Sequence, residues 1–175
     1  MTPRLVFPSK RYKAQYLREI KSLPDGDIPG LTSKEKRELA LSDFDLYLSE
    51  IRNERMGRNL KKGRVPATVY WLADGKKFLG QTSMRHKLNK NLRRHGGHIG
   101  YWIVPKQRGK GYGKLILKLA LQKAKRLGIK HVLISCDVKN TPSRRIIESN
   151  GGKLEGKFKV PEKKTPILRF WINNL

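Results

Sequence analysis

The segment Ile103-Val104-Pro105-Lys106-Gln107-Arg108-Gly109-Lys110-Gly111-Tyr112-Gly113 constrains this chain more than any other. It stands where one periodicity ends and another begins. His98 to Val104 reads as a strand that Pro105 stops. Tyr112, Leu115, Ile116, Leu119, Ala120, Ala124 and Leu127 then recur at helical spacing, with Gly128 at the stop position. Glycines at a strand-to-helix turn let the backbone approach a bulky anion and direct N–H groups toward it. The helix N-terminus adds partial positive charge. Lys110 and Lys114 add full charges, so the pattern specifies a pyrophosphate site. A Walker loop is excluded, because Arg108 stands where its first glycine belongs and Leu115 replaces the Ser/Thr. The spacing Gly109-x-Gly111-x-Gly113 also fails the dinucleotide fingerprint. A glycine turn without a ligand is the plainer alternative. The agreement of strand, glycines, lysines and long amphipathic helix favours the ligand.

The 175 residues suit one domain with a sizeable core. Residues 4–7 read as a strand. Ser9 can cap a helix that places Tyr12, Tyr16 or Leu17, Ile20 and Leu23 on one side. Residues 24–30 form a loop. Ser42 with Asp45 fits a capping box before Phe44, Tyr47, Leu48 and Ile51. Val65 to Ala73 and Phe78 to His86 read as a hairpin turning at Asp74-Gly75. Residues 88–97 are a polar connection. His131 to Cys136 is a strand, Thr141-Pro142 opens a helix ending near Asn150, and strands near 153–160 and 166–173 finish the chain. The order predicts a mixed α/β (α+β) domain around one sheet.

Arg108-x-x-Gly111-x-Gly113 resembles the Q/R-x-x-G-x-G/A motif of the Gcn5-related N-acetyltransferases (GNAT). The preceding strand, the following helix, the strand ending Cys136-Asp137, and Asn140 before a short helix keep that family's order. More narrowly, residues 65–72, 85–89, 96–101, 150–152 and 169–172 resemble a poorly characterised group of predicted bacterial acetyltransferases. The resemblance implies a central, mostly antiparallel twisted sheet with a splayed parallel strand pair and helices on both faces. It divides residues 1–175 into an N-terminal helical, acceptor-side part (1–64), an acetyl-CoA-binding core (65–152) and C-terminal strands (153–175). It implies acetyl-CoA as cofactor, with Tyr101, Trp102 and Ile103 along the pantetheine arm. The Ile103 backbone N–H would polarise the thioester carbonyl. Arg108, Gly109, Lys110, Gly111, Tyr112, Gly113 and Lys114 would hold the pyrophosphate. Asn140 would bond the cofactor, flanked by Ser143 and Arg144. An amine of a small molecule or peptide would attack directly. The sequence departs from the family at Ile147, where many relatives carry a tyrosine that protonates the leaving thiolate. The usual general acid is then missing, or Ser143, Tyr101 or water replaces it.

His98 opens the strand expected to carry the thioester, which makes it a candidate base, with His86 a weaker one. A histidine at a strand end after Gly96-Gly97 is the competing reading. Cys136 reads as core packing. Glu50 and Glu54, one helical turn apart, could receive a cationic amine or simply face solvent. Histidines and cysteine show no metal-ligand spacing. The net charge is +26. Residues 1–64 hold 15 Lys/Arg against 9 Asp/Glu, and residues 65–175 hold 25 against 5. Dispersed positive residues of this kind fit solubility, a thermal or halotolerant habitat or an engineered surface. The field also attracts anions, so a nucleic-acid- or ribosome-associated protein on the same fold is the alternative function. With no apolar run near the ~20 residues of a membrane span, no signal-like N-terminus and one cysteine, a cytoplasmic protein without membrane contact is expected.

Overall fold

Side-chain alternation along one central strand decides how the layers assemble in the computed structural model, which describes residues 2–24, 33–161 and 163–175. β2 (Ala67–Asp74) is buried on both faces. Val69, Trp71 and Ala73 face a helical layer of α1 (Lys13–Lys21), α2 (Lys34–Ser42) and α3 (Phe44–Arg55). Tyr70 and Leu72 face α5 (Tyr112–Arg126) on the other side. A strand covered on both faces carries a continuous apolar run, as β2 does. Trp71 is the centre of the first layer, fully buried, stacked on Tyr16 at 4.5 Å and donating its indole N–H to Gln81 at 2.8 Å.

The strands divide into two antiparallel sheets. The first has the order β1-β2-β3-β4, with β1 (Arg4–Val6), β3 (Lys77–Arg85) and β4 (Ile99–Ile103). The second has the order β5-β7-β6, with β5 (His131–Asp137), β6 (Lys153–Phe158) and β7 (Ile167–Asn173). The remaining described α-helices are α4 (Lys90–Arg94) and α6 (Thr141–Glu148), with short 3-10 turns at Lys10–Tyr12 and Pro105–Gln107. The one sheet expected is thus split where β4 and β5 splay apart, and no parallel ladder joins that pair among the described residues. Their ladder contact among the described residues is one isolated antiparallel bridge, Gly97 to Ile134. No described helix is long and apolar enough to cross a membrane.

Local chemistry moved several expected boundaries. The expected capping box gives way to a plain N-cap one residue later: Asp43 accepts from the N–H of Asp45 and Leu46 at 3.1 and 2.9 Å, while Ser42 closes α2. Asn140, not Thr141, caps α6 by accepting from Ser143 N–H at 3.1 Å. Asp74 pairs with Lys77, so the hairpin turns at Gly75 and Lys76. The polar connection before β4 contains α4, capped by Asn89. The loop expected over 24–30 lies outside the described residues from residue 25 onward.

Candidate active site

The hydrogen-bond register of β4 determines what faces β5. Val104 N–H donates to Leu79 C=O and Arg85 N–H to His98 C=O. Alternation in an antiparallel ladder therefore commits the peptide groups of Gly100, Trp102 and Val104, and the carbonyl of His98, to β3. The peptide groups of Tyr101 and Ile103 point the opposite way, toward the cleft between the sheets. Ile103 C=O accepts from Arg108 Nε at 3.2 Å, which braces the glycine turn against the strand. Trp102 departs from expectation. Its backbone serves β3, and its buried ring lies in the helical layer, 6.5 Å from Phe78.

The glycine turn follows. Gly109 and Gly111 have φ of 76° and 80°, the left-handed region that L side chains avoid, and a Cβ on either would meet nothing within 4 Å. Their surface is therefore open backbone at the head of α5. Lys110 and Lys114 are exposed beside it, with Lys110 Nζ donating to Gln107 at 3.1 Å. Gly113 is required for a different reason: a Cβ there would lie 2.5 Å from Ile146 Cδ1 of α6. Tyr112 begins α5 and packs against Ile103, Leu72 and Ile116. Open backbone, flanking lysines and cleft-facing peptides fit a phosphorylated, amide-bearing cofactor.

α6 closes the other side. Tyr101 reaches across the cleft, its Oη 2.9 Å from Ser143 Oγ and 3.3 Å from Ser143 C=O, to which it donates. Burial pushes the Tyr101 phenol up to about 12, partly offset by the Ser143 hydrogen bond. Cys136 is buried nearby, and desolvation pushes its thiol up to about 11. Ile147 is fully buried in the same cluster and carries no proton. Asn140 spends its side-chain oxygen on the α6 cap, and Arg144 is exposed in an ion pair with Glu148 at 2.8 Å.

His98 is placed where sequence expected it but in another role. Its N–H donates to Leu133 C=O at 2.7 Å, and its Nδ1 accepts from Leu133 N–H at 3.0 Å. Nδ1 therefore bears no proton and Nε2 bears one. Burial, then the charges of Arg93 and Arg85, lower its pKa to about 4. With its free lone pair engaged, the ring is not the base inferred from position. His86 bonds Thr68 through Nε2 at 2.8 Å, away from the glycine turn, and its pKa is lowered by burial and by Arg55. Glu54 is ion-paired to Lys36. The sequence resemblance covers Arg85 without giving it a role and misses Ser135: Arg85 Nη1 donates to Gly97 C=O at 3.0 Å, and Ser135 Oγ accepts from Gly96 N–H at 2.9 Å. Ser135 carries no local pattern that could mark it.

Residues 32–153 match the family model of the acetyltransferase (GNAT) domain. The chain belongs to the GNAT acetyltransferase family. No curated protein matches it. Among solved structures, RimJ from Mycobacterium smegmatis, in complex with CoA-disulfide, is 20% identical over 98% of this chain and 85% of its own, with a TM-score of 0.69. A spermidine N-acetyltransferase SpeG chimera from Vibrio cholerae and hSSAT is 17% identical over 99% and 97%, TM-score 0.63. The yncA protein of Salmonella typhimurium, with its cofactor acetyl-CoA, is 14% identical over 100% and 95%, TM-score 0.65.

Proposed function

We propose that the chain transfers an acetyl group from acetyl-CoA to an amine by direct attack, within the cleft between β4 and β5. The observation that carries this reading is the β4 register, which turns the Tyr101 and Ile103 peptides toward the cleft beside the open glycine turn. Residues 65–152 form the cofactor-binding core, and residues 1–64 form the acceptor side. Acetyl-CoA supplies an acetyl thioester that an unprotonated amine can attack. Ile103 N–H stabilises negative charge at the carbonyl oxygen as an oxyanion donor. Gly109 to Lys114 hold the pyrophosphate through backbone N–H groups, the α5 N-terminus and two lysines. The Tyr101 Oη and Ser143 Oγ pair holds the proton for the departing thiolate, one helical turn from Ile147. A phenol raised to about 12 remains protonated at neutral pH and can serve as donor. His98 takes no proton, so the amine loses its own to water.

CoA thiol release, followed against a panel of small amines, peptides, aminoglycosides and tRNA, tests the reading. Thiol release with at least one amine is expected. Tyr101→Phe should lower kcat roughly 10- to 1000-fold, the scale of a positioned proton donor, with acetyl-CoA affinity little changed. Wild-type protein that binds no acetyl-CoA would overturn the reading, and unaltered turnover in Tyr101→Phe would remove that residue from it.

A further inference from the structure

One motif the proposed chemistry leaves unused is Gly96-Gly97-His98. It forms the seam between the two sheets. Gly96 N–H donates to Ser135 Oγ, Gly97 bridges Ile134, and His98 exchanges two hydrogen bonds with Leu133. Arg85 Nη1 holds the Gly97 carbonyl from β3. A Cβ on Gly97 would lie 2.3 Å from Leu133 O, so the backbones approach as closely as glycine permits. Beyond this point β4 and β5 form no ladder among the described residues. The Leu133 N–H consequently lacks a β4 carbonyl, and the imidazole Nδ1 takes that place.

Building on the acetyl-CoA reading of the cleft, we propose that His98 is a positioning residue that fixes the apex of the β4–β5 cleft by accepting the Leu133 N–H. The lever is long. Ile103 lies five residues up the same strand, about 16 Å at the usual rise. A hinge rotation of roughly 5° at the apex displaces its peptide by about 1.4 Å over that lever. An error near 1 Å costs on the order of a hundredfold where reacting groups must align. A hydrogen bond at the seam thereby controls the oxyanion donor and the Tyr101 hydroxyl without touching the reacting atoms.

Two substitutions separate this role from the others. His98→Asn keeps an acceptor, Oδ1, near the place of Nδ1. His98→Leu keeps bulk and removes the acceptor. Acetyl-CoA binding by calorimetry, kcat and KM across pH, and melting temperature are measured for each. The Asn variant is expected to retain binding and the wild-type pH profile. The Leu variant is expected to lose affinity and kcat/KM by roughly tenfold or more, the scale of one buried unpaired N–H. An Asn variant that binds normally but loses turnover and its pH dependence overturns the proposal in favour of a base. A Leu variant with a lower melting temperature but unchanged affinity and kinetics overturns it in favour of simple stability. Should the Leu variant not fold, ¹⁵N shifts of the wild-type imidazole decide: an Nδ1–H tautomer at neutral pH overturns the proposal, and an Nε2–H tautomer supports it. Wild-type protein that binds no acetyl-CoA fails the cofactor reading itself, whereas binding equal in wild type and both variants fails only the role of His98.

Discussion

His98 links a hydrogen bond to the pH dependence of folding. In the unfolded chain its imidazole titrates near 6.5, and in the folded chain at about 4, because burial and the neighbouring Arg93 and Arg85 guanidinium groups oppose the charge. Protons therefore bind the unfolded chain first as pH falls. The stabilisation is complete above about 6.5 and is lost as pH drops through the window down to about 4. A shift of that size corresponds to roughly 3 kcal/mol. His86, lowered by burial and by Arg55, acts in the same direction and forms the background. Urea unfolding of wild type and His98→Asn at several pH values from neutral to acid should show a shallower dependence in the variant. Equal slopes would assign the acid sensitivity to His86 or to carboxylates.

At the scale of elements, two glycines with similar backbone angles have opposite surroundings. Gly97 has φ of 66° and is pressed against Leu133, while Gly109 has φ of 76° and faces open space. Gly109→Ala should cost only the left-handed penalty, roughly 1–2 kcal/mol. Gly97→Ala adds overpacking of roughly 1–3 kcal/mol, or forces the sheets apart. Denaturation midpoints should order the variants accordingly, and equal midpoints would show a seam that yields freely. The contrast also marks what the sequence could reveal. Gly109 and Gly111 were legible because a strand, a helix and lysines surround them locally. β2, β3, β5 and α5 were legible because burial on defined faces leaves a period in the chain. The role of Gly97 and His98 was not, since their partner Leu133 lies 35 residues away and nothing local encodes it. Tyr101 and Ser143 were named as cofactor neighbours, but their mutual hydrogen bond depends on how α6 meets β4. The α3 cap falls on Asp43 rather than Ser42 because Ser42, Asp43 and Asp45 all offer side-chain oxygens, and tertiary packing of Phe44 and Tyr47 selects among them.

For the molecule as a whole, the charge of +26 acts on every anionic ligand, and its contribution can be separated from that of the glycine turn. In the proposed site, backbone N–H groups and the α5 N-terminus would bind at contact distance and be screened weakly. Lys110 and Lys114 are exposed, so their attraction falls with the Debye length, from about 8 Å at physiological ionic strength to about 3 Å at 1 M salt. Acetyl-CoA affinity should therefore decline with salt and level off at the value set by the turn. Lys110→Ala and Lys114→Ala should each weaken binding at low salt and flatten the decline. Melting temperature is a poor readout here, because salt also relieves the self-repulsion of so basic a fold and raises stability without ligand. Calorimetric Kd values at several salt concentrations avoid this. A Kd independent of salt would place recognition entirely in the backbone of the turn. A decline equally steep in both lysine variants would assign the attraction to the general field of residues 65–175, a field that RNA in the same titration would also feel and compete for.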